Sequence, residues 1–357
     1  MIFAPMRKPL LFLPGPMQVP DHIRSAADRP MFNHRSVQMD VFLARLETGC
    51  RQLFGTDGDV LFLASSGTGS MESAMVNMTS PGSEIIVVVG GTFAQRWSDI
   101  GEAYGLQVHA VHVDWRRGAS VSQVDAALKE FPGAESVFMT WSESSTGVLT
   151  ELDRIGELIR SQNKYLVVDA VSGLAVSPLM MDAWNVDVVI AGSQKGLMLP
   201  PGLAVVAVGR RAWDLVTRSK SPRFYWDWKK YKGTSPFTPA ITILFQLDAS
   251  LDYIQGQGHD RFFARKAQVA ATVRGLMTAT GLETYAHNPG NGITAVIAPG
   301  KFDIPAFKLR LENDYGIQIA GGLCPLQRTT FRIGHVGFVT DEELEYFTKS
   351  FTSSLNK

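Results

Sequence analysis

The chain has 357 residues, 45% hydrophobic and 19% charged, with Lys+Arg and Asp+Glu balanced at 34 each. That length and apolar content suit two unequal domains and exclude a disordered chain, and the charge balance supplies no field to steer it onto nucleic acid or an anionic membrane. Two cysteines, Cys50 and Cys324, are too few for a disulfide framework or a Cys-rich metal site, and no apolar run approaches the roughly 20 residues of a bilayer span, so the expectation is a cytoplasmic protein without a metal.

The first twenty residues carry Pro5, Pro9, Pro14, Pro16 and Pro20, which bar a regular helix and predict an extended arm over residues 1–20 lying on other structure. Neither this start nor the closing Leu355-Asn356-Lys357 reads as a targeting signal. Val37, Val41, Leu43, Leu46, Cys50 and Leu53 approximate one helical face, which Gly55 ends. Short apolar runs at 60–64, 85–89, 108–113, 137–141, 165–168, 186–190 and 203–208 then alternate with amphipathic stretches. Seven such runs predict a mostly parallel α/β sheet with helices on both faces. After Pro239 come helical stretches at 241–254 and 259–280, then strands at 293–297 and 329–333 alternating with helices at 305–311 and 341–350. The predicted division is a large domain over 21–253 and a smaller C-terminal α+β domain over 254–357.

Polar residues follow several of the apolar runs. Ser65-Ser66-Gly67-Thr68-Gly69-Ser70 comes after the first and opens a helix, so backbone amides, hydroxyls and a helix N-terminus can converge on one dianion. It lacks the Gly-Lys-Ser/Thr of a P-loop, and Glu72 occupies the third glycine position of a dinucleotide fingerprint, which disfavours nucleotides. Trp141-Ser142-Glu143-Ser144-Ser145-Thr146-Gly147 concentrates hydroxyls after another run. The 165–168 run ends in Asp169, and 26 positions later Lys195 sits in Ala191-Gly192-Ser193-Gln194-Lys195-Gly196. Alone, each is an ordinary turn, cap or surface charge. Together they read as a pyridoxal 5'-phosphate site: a lysine amine can hold an aldehyde cofactor as a Schiff base, and a buried carboxylate keeps the pyridine nitrogen protonated.

With these residues laid out, the chain resembles the class V, fold-type I aminotransferases, in the group of alanine–glyoxylate and serine–glyoxylate (serine–pyruvate) enzymes. The resemblance runs from Leu13-Pro14-Gly15-Pro16 and Asn33-His34-Arg35-Ser36 through Gly90-Gly91-Thr92-Phe93-Ala94-Gln95-Arg96-Trp97 and the segments above to Tyr231-Lys232-Gly233-Thr234 and Phe331-Arg332-Ile333-Gly334-His335. It implies a fold-type I transferase, with Lys195 as the Schiff-base lysine and proton carrier and Asp169 on the pyridinium nitrogen. Val171 and Phe93 would pack on the two faces of the ring. Thr68, Gly69, Ser70 and Gln194 would hold the phosphate or the cofactor's rim, with Ser144 near its phenolic oxygen. Tyr231 and Thr234 would reach the neighbouring subunit's phosphate, which implies a homodimer with shared sites. Arg332 is the candidate for the substrate α-carboxylate, because a guanidinium fork meets a carboxylate with two parallel hydrogen bonds.

The expected activity is ping-pong transamination of a small L-amino acid, of alanine or serine type, with glyoxylate or pyruvate as the 2-oxo acid acceptor. No second carboxylate-binding arginine stands out, although Arg35 or Lys232 could serve a longer acid. Three departures from relatives bear on substrate range: Ser70 in place of His, Lys232-Gly233 in place of a His pair, and Cys324 in place of Gly. The alternatives are a lyase of the cysteine-desulfurase type, disfavoured by Gln194 before the lysine, and a non-catalytic homologue serving as an assembly subunit.

Overall fold

A computed structural model of the chain describes residues 9–355; residues 1–8 of the predicted arm and the terminal Asn356-Lys357 lie outside the described residues. The strands in chain order are β1 Leu10–Phe12, β2 Asp59–Leu63, β3 Glu84–Val89, β4 Gln107–His112, β5 Ser136–Thr140, β6 Ser142–Glu143, β7 Val148–Leu149, β8 Tyr165–Asp169, β9 Val188–Gly192, β10 Ala204–Val208, β11 Glu283–Thr284, β12 Ile293–Ile297, β13 Ile317–Gly321 and β14 Thr330–Gly334.

Seven of them form one sheet in the order β2-β10-β9-β8-β5-β3-β4. β10 pairs antiparallel with both of its neighbours and the other pairings are parallel, so a single strand runs against the rest. β5, β8, β9 and β10 are buried at every position, as strands covered on both faces must be, which is why they read as unbroken apolar runs. Side-chain alternation sends Leu166 and Val168 into one apolar layer and Val167 into the other. Each such side chain contributes about 1.5–3 kcal/mol of burial.

The helix Val37–Phe54 buries Leu43, Leu46, Cys50 and Leu53 and stops at Gly55, as expected. Val37 and Val41 depart from the predicted face: they are 77% and 65% exposed. Two residues is just over half a helical turn, so Val41 lies roughly opposite Met39 and Leu43, whose side chains are buried.

The second sheet runs β1-β13-β14-β12-β11, with β1 parallel to β13 and the remaining pairs antiparallel. The N-terminal arm therefore enters the small sheet as an edge strand. Residue 254 falls inside the continuous helix Ile241–Gln257, which is followed by the helix His259–Ala279. Asp303 caps the helix Ile304–Tyr315 through the amide of Ala306 at 2.9 Å. Among the described residues no helix is long and apolar enough to cross a membrane.

Candidate active site

Because β2, β3, β5, β8 and β9 run in one direction, their carboxyl ends share one edge of the sheet, where ligands of open α/β sheets collect. A cavity of about 110 Å3 opens there. Of the predicted residues, Thr68, Phe93, Ser144, Asp169, Val171, Gln194 and Lys195 line it together; Arg96 and Ser172, which the sequence reading gave no role, line it as well.

Asp169 is the last residue of β8, in register with Ile190 of β9, and Lys195 follows β9 by three residues. Both are buried, at 5% and 8% exposure. Burial pushes the Asp169 carboxyl up to about 7; a hydrogen bond from the Val171 amide at 2.8 Å opposes that rise, Glu143 adds to it, and Lys195 and Arg96 also oppose it. Burial pulls the Lys195 amine down to about 8, with Arg332 lowering it further and Asp169 and Glu143 raising it. Desolvation dominates both shifts, moving the carboxyl up and the amine down toward neutral pH, while each group's charge favours the other's. The lysine amine donates to the carbonyl oxygen of Pro14 on the arm.

At the amino end of the helix Gly67–Met78, Ser66 caps the Gly69 amide at 3.3 Å and Thr68 faces the cavity. A methyl on Gly67 would lie 2.9 Å from Cγ2 of Val171, so the absent side chain lets this turn close onto the Val171 wall. Ser70 is fully buried and its hydroxyl donates to the Gly67 carbonyl at 2.6 Å, so the structure does not bring that side chain into the cavity. The Oε1 of Gln194 is buried without a partner. Ser144 and Ser172 share a hydrogen bond between their hydroxyls.

Glu143, another residue without a predicted role, organises the opposite wall. Its carboxylate accepts from the amides of Phe93 at 3.3 Å, Ala94 at 2.9 Å and Ser145 at 2.9 Å, and from the Ser145 hydroxyl at 2.6 Å. It thereby caps the helix Thr92–Ala103 and fixes where Phe93 enters the cavity. The signals that could have found Arg96 and Glu143 were present: Arg96 is three residues from Phe93, hence adjacent on the helix surface, and Glu143 opens the serine-rich segment.

Arg332 lies on β14, 7% exposed, donating from Nε to Gly321 O at 2.9 Å and from Nη1 to Ser144 O at 3.0 Å. Burial lowers its guanidinium to about 10, with Glu143 opposing, so it remains a cation at neutral pH. The bond to Ser144 ties the small domain to the cavity rim. Cys324 is exposed, and its carbonyl accepts from the Thr92 hydroxyl at 2.9 Å.

Tyr231 and Thr234 are not brought to Lys195 within this chain; they line a separate pocket with Glu47, Val60 and Phe62, where the Tyr231 side chain interacts with Tyr225. Lys232 pairs with Asp59 at 3.1 Å, and Arg35 is exposed. Among the described residues no three His, Cys, Asp or Glu side chains converge as metal ligands.

The cavity fits pyridoxal 5'-phosphate on the chemistry of its groups. A buried carboxylate holding one amide hydrogen bond has capacity for a pyridinium N–H, Gln194 offers an unpaired polar atom, and an amine stands ready for an aldehyde.

The family profile described as class-V aminotransferase matches residues 21–347. The chain is 35% identical to a protein named soluble hydrogenase, small subunit, from Synechococcus sp., covering 94% of this chain and 90% of that one. It is 32% identical to an L-aspartate–glyoxylate aminotransferase of Paracoccus denitrificans, covering 93% and 87%. The solved structure of an alanine–glyoxylate aminotransferase from Nostoc sp. superimposes with a TM-score of 0.94 at 24% identity, covering 99% and 98%.

Proposed function

The chain belongs to the class-V aminotransferase family, and we propose that it transfers the amino group of a small L-amino acid, of alanine or serine type, to glyoxylate or pyruvate, with pyridoxal 5'-phosphate held in the Lys195 cavity. The observation that carries this reading is that Thr68, Asp169, Gln194 and Lys195, drawn from three separate strand ends, line one cavity. When bound, the cofactor supplies the electron sink that makes a substrate α-proton removable.

The remaining work falls to this chain. Asp169 would hold the pyridine nitrogen and Thr68, Gly69 and Gln194 the phosphate or the cofactor's rim, with Ser70 contributing its position in the turn. Val171 and Phe93 would flank the ring. Arg332 orients the amino acid by its α-carboxylate, and Lys195 Nζ takes and returns the α-proton; an amine near pH 8 carries either protonation state at little cost. Amino acid and 2-oxo acid follow each other through the same cavity, which is the ping-pong order.

We further read the protein as a homodimer with shared sites. In support, Met31, Val37 and Val41 are large apolar side chains left exposed, and Tyr231 and Thr234 line a pocket apart from Lys195. Sedimentation at micromolar concentration tests this, a monomer being the contrary result.

Arg96 adds a cation to the cavity that the sequence reading did not supply, so aspartate belongs among the donors tried. The purified chain is mixed with pyridoxal phosphate, glyoxylate and L-alanine, L-serine or L-aspartate, and glycine formation is followed. Alanine or serine should be fastest. Preference for aspartate would move the reading to dicarboxylates, and no glycine from any donor would sink it.

The 35% identity to a protein named as a hydrogenase subunit favours a second reading, a subunit of a larger assembly. Under that reading Lys195→Ala would leave every property of the protein unchanged.

A further inference from the structure

Arg96 sits one turn into the helix Thr92–Ala103, half-buried at the cavity wall. Its Nη1 donates to Thr68 Oγ1 at 2.7 Å, and its guanidinium carbon lies 5.0 Å from the centroid of the Phe93 ring. Among the described residues it has no ion pair with an Asp or Glu. One side chain thus touches both Thr68 and Phe93 at the cavity wall, and its charge meets the Asp169 carboxylate only at longer range than a salt bridge.

A guanidinium has only donors, so Thr68 Oγ1 must accept from Arg96. The hydroxyl's one hydrogen is then free to donate elsewhere. Ser70 offers the contrast: its hydroxyl donates inward to the Gly67 carbonyl at 2.6 Å. Of these two hydroxyls, that of Thr68 is therefore the one left to donate to an anion, with Arg96 holding its oxygen.

We propose that Arg96 is a positioning residue for the anionic end of the cofactor, fixing the Thr68 hydroxyl as a phosphate donor and bracing the Phe93 ring, so that the phosphorylated cofactor is selected over its dephosphorylated form. The proposal rests on the pyridoxal-phosphate reading above. Arginine suits this double task where lysine would not, because its planar group stacks on an aromatic face while an edge N–H stays directed at the hydroxyl.

The test compares binding of pyridoxal 5'-phosphate and of pyridoxal to the wild type, Arg96→Gln, Arg96→Lys and Thr68→Val, read by fluorescence quenching, with thermal melting as the check on folding. Arg96→Gln should weaken pyridoxal phosphate about 10- to 100-fold, the scale of a lost charge-assisted hydrogen bond, while pyridoxal changes less than about threefold. Arg96→Lys should fall between, and adding Thr68→Val to Arg96→Gln should cost little more, because both act through one hydroxyl. If Arg96→Gln is too unstable to assay, the Arg96→Lys ratio decides in the same way. Equal weakening of both ligands, or no weakening of either, overturns the proposal. A wild type that binds neither ligand overturns the cofactor reading beneath it, a separate and recognisable failure.

Discussion

A methyl group on Gly15 would stand 2.6 Å from Cδ and 2.7 Å from Cε of Lys195. The arm thus forms one wall of the lysine's slot, and a side chain at residue 15 would require Lys195 to move. Gly15 also has φ +124°, a conformation other residues rarely adopt.

Gly15→Ala should accordingly displace Lys195 while leaving the strands and their core intact. Covalent capture of pyridoxal phosphate, followed as growth of the yellow band, is expected to slow at least about tenfold, the cost of forcing a methyl into a packed site. The melting temperature should drop by only a few degrees. Unchanged capture would mean that the arm does not shape the slot.

Asp169→Asn separates stability from function. Asparagine keeps an acceptor for the Val171 amide but cannot pair with a pyridinium, so the first half-reaction should slow about 100-fold or more, the scale of a lost preorganised electrostatic contact. In cofactor-free protein the folded-state pKa of about 7 lies above the ordinary value of 3.8, so the folded chain holds a proton that the unfolded chain has lost between these limits. This group's contribution to stability therefore falls as pH rises through that window. The stability of Asp169→Asn relative to wild type should increase from pH 5 to pH 8 in denaturant titrations, and a pH-independent difference would contradict the assignment.

Arg332→Ala removes the cation proposed to meet the substrate carboxylate and leaves the carbonyls of Gly321 and Ser144 without these donors. KM for the amino donor should rise about 100-fold with the yellow band retained, because the residues proposed to hold the cofactor are others. A KM near that of wild type would remove Arg332 from substrate recognition.

Lys266 tests the buried electrostatics away from the site. Its amine donates to the carbonyls of Val336 and Gly337, and burial, with Arg265 adding, lowers it to about 7. Between that value and 10.5 the unfolded chain binds a proton that the folded chain does not, so this residue's contribution to stability rises with pH. The stability of wild type relative to Lys266→Met should grow by about 2 kcal/mol from pH 7 to pH 9. Contributions from Lys195 and other groups are common to both proteins and cancel.

The large sheet was legible because strands buried on both faces must be apolar throughout, and the polar residues that end them stand out: Asp169 and Lys195 were found in this way. β1 and β13 were not read as strands, since runs of three and five residues, the first of them in a proline-rich arm, carry little periodic signal. Arg96 and Glu143 escaped for another reason. They act through neighbours, on Thr68 and on the amides of Phe93 and Ala94, and such contacts depend on how helices seat against strand ends. Ser70 illustrates the converse: a residue of the right type in the right motif turns its hydroxyl inward to its own helix.

The most direct test of the central claim is the visible absorption spectrum of the purified protein with pyridoxal phosphate, recorded before and after L-alanine, L-serine or L-aspartate is added without any 2-oxo acid. The account predicts a yellow, lysine-bound cofactor that bleaches with a donor and returns with glyoxylate or pyruvate, and a Lys195→Ala protein that never turns yellow. A wild type that stays colourless, or a yellow protein that no donor bleaches, would contradict it.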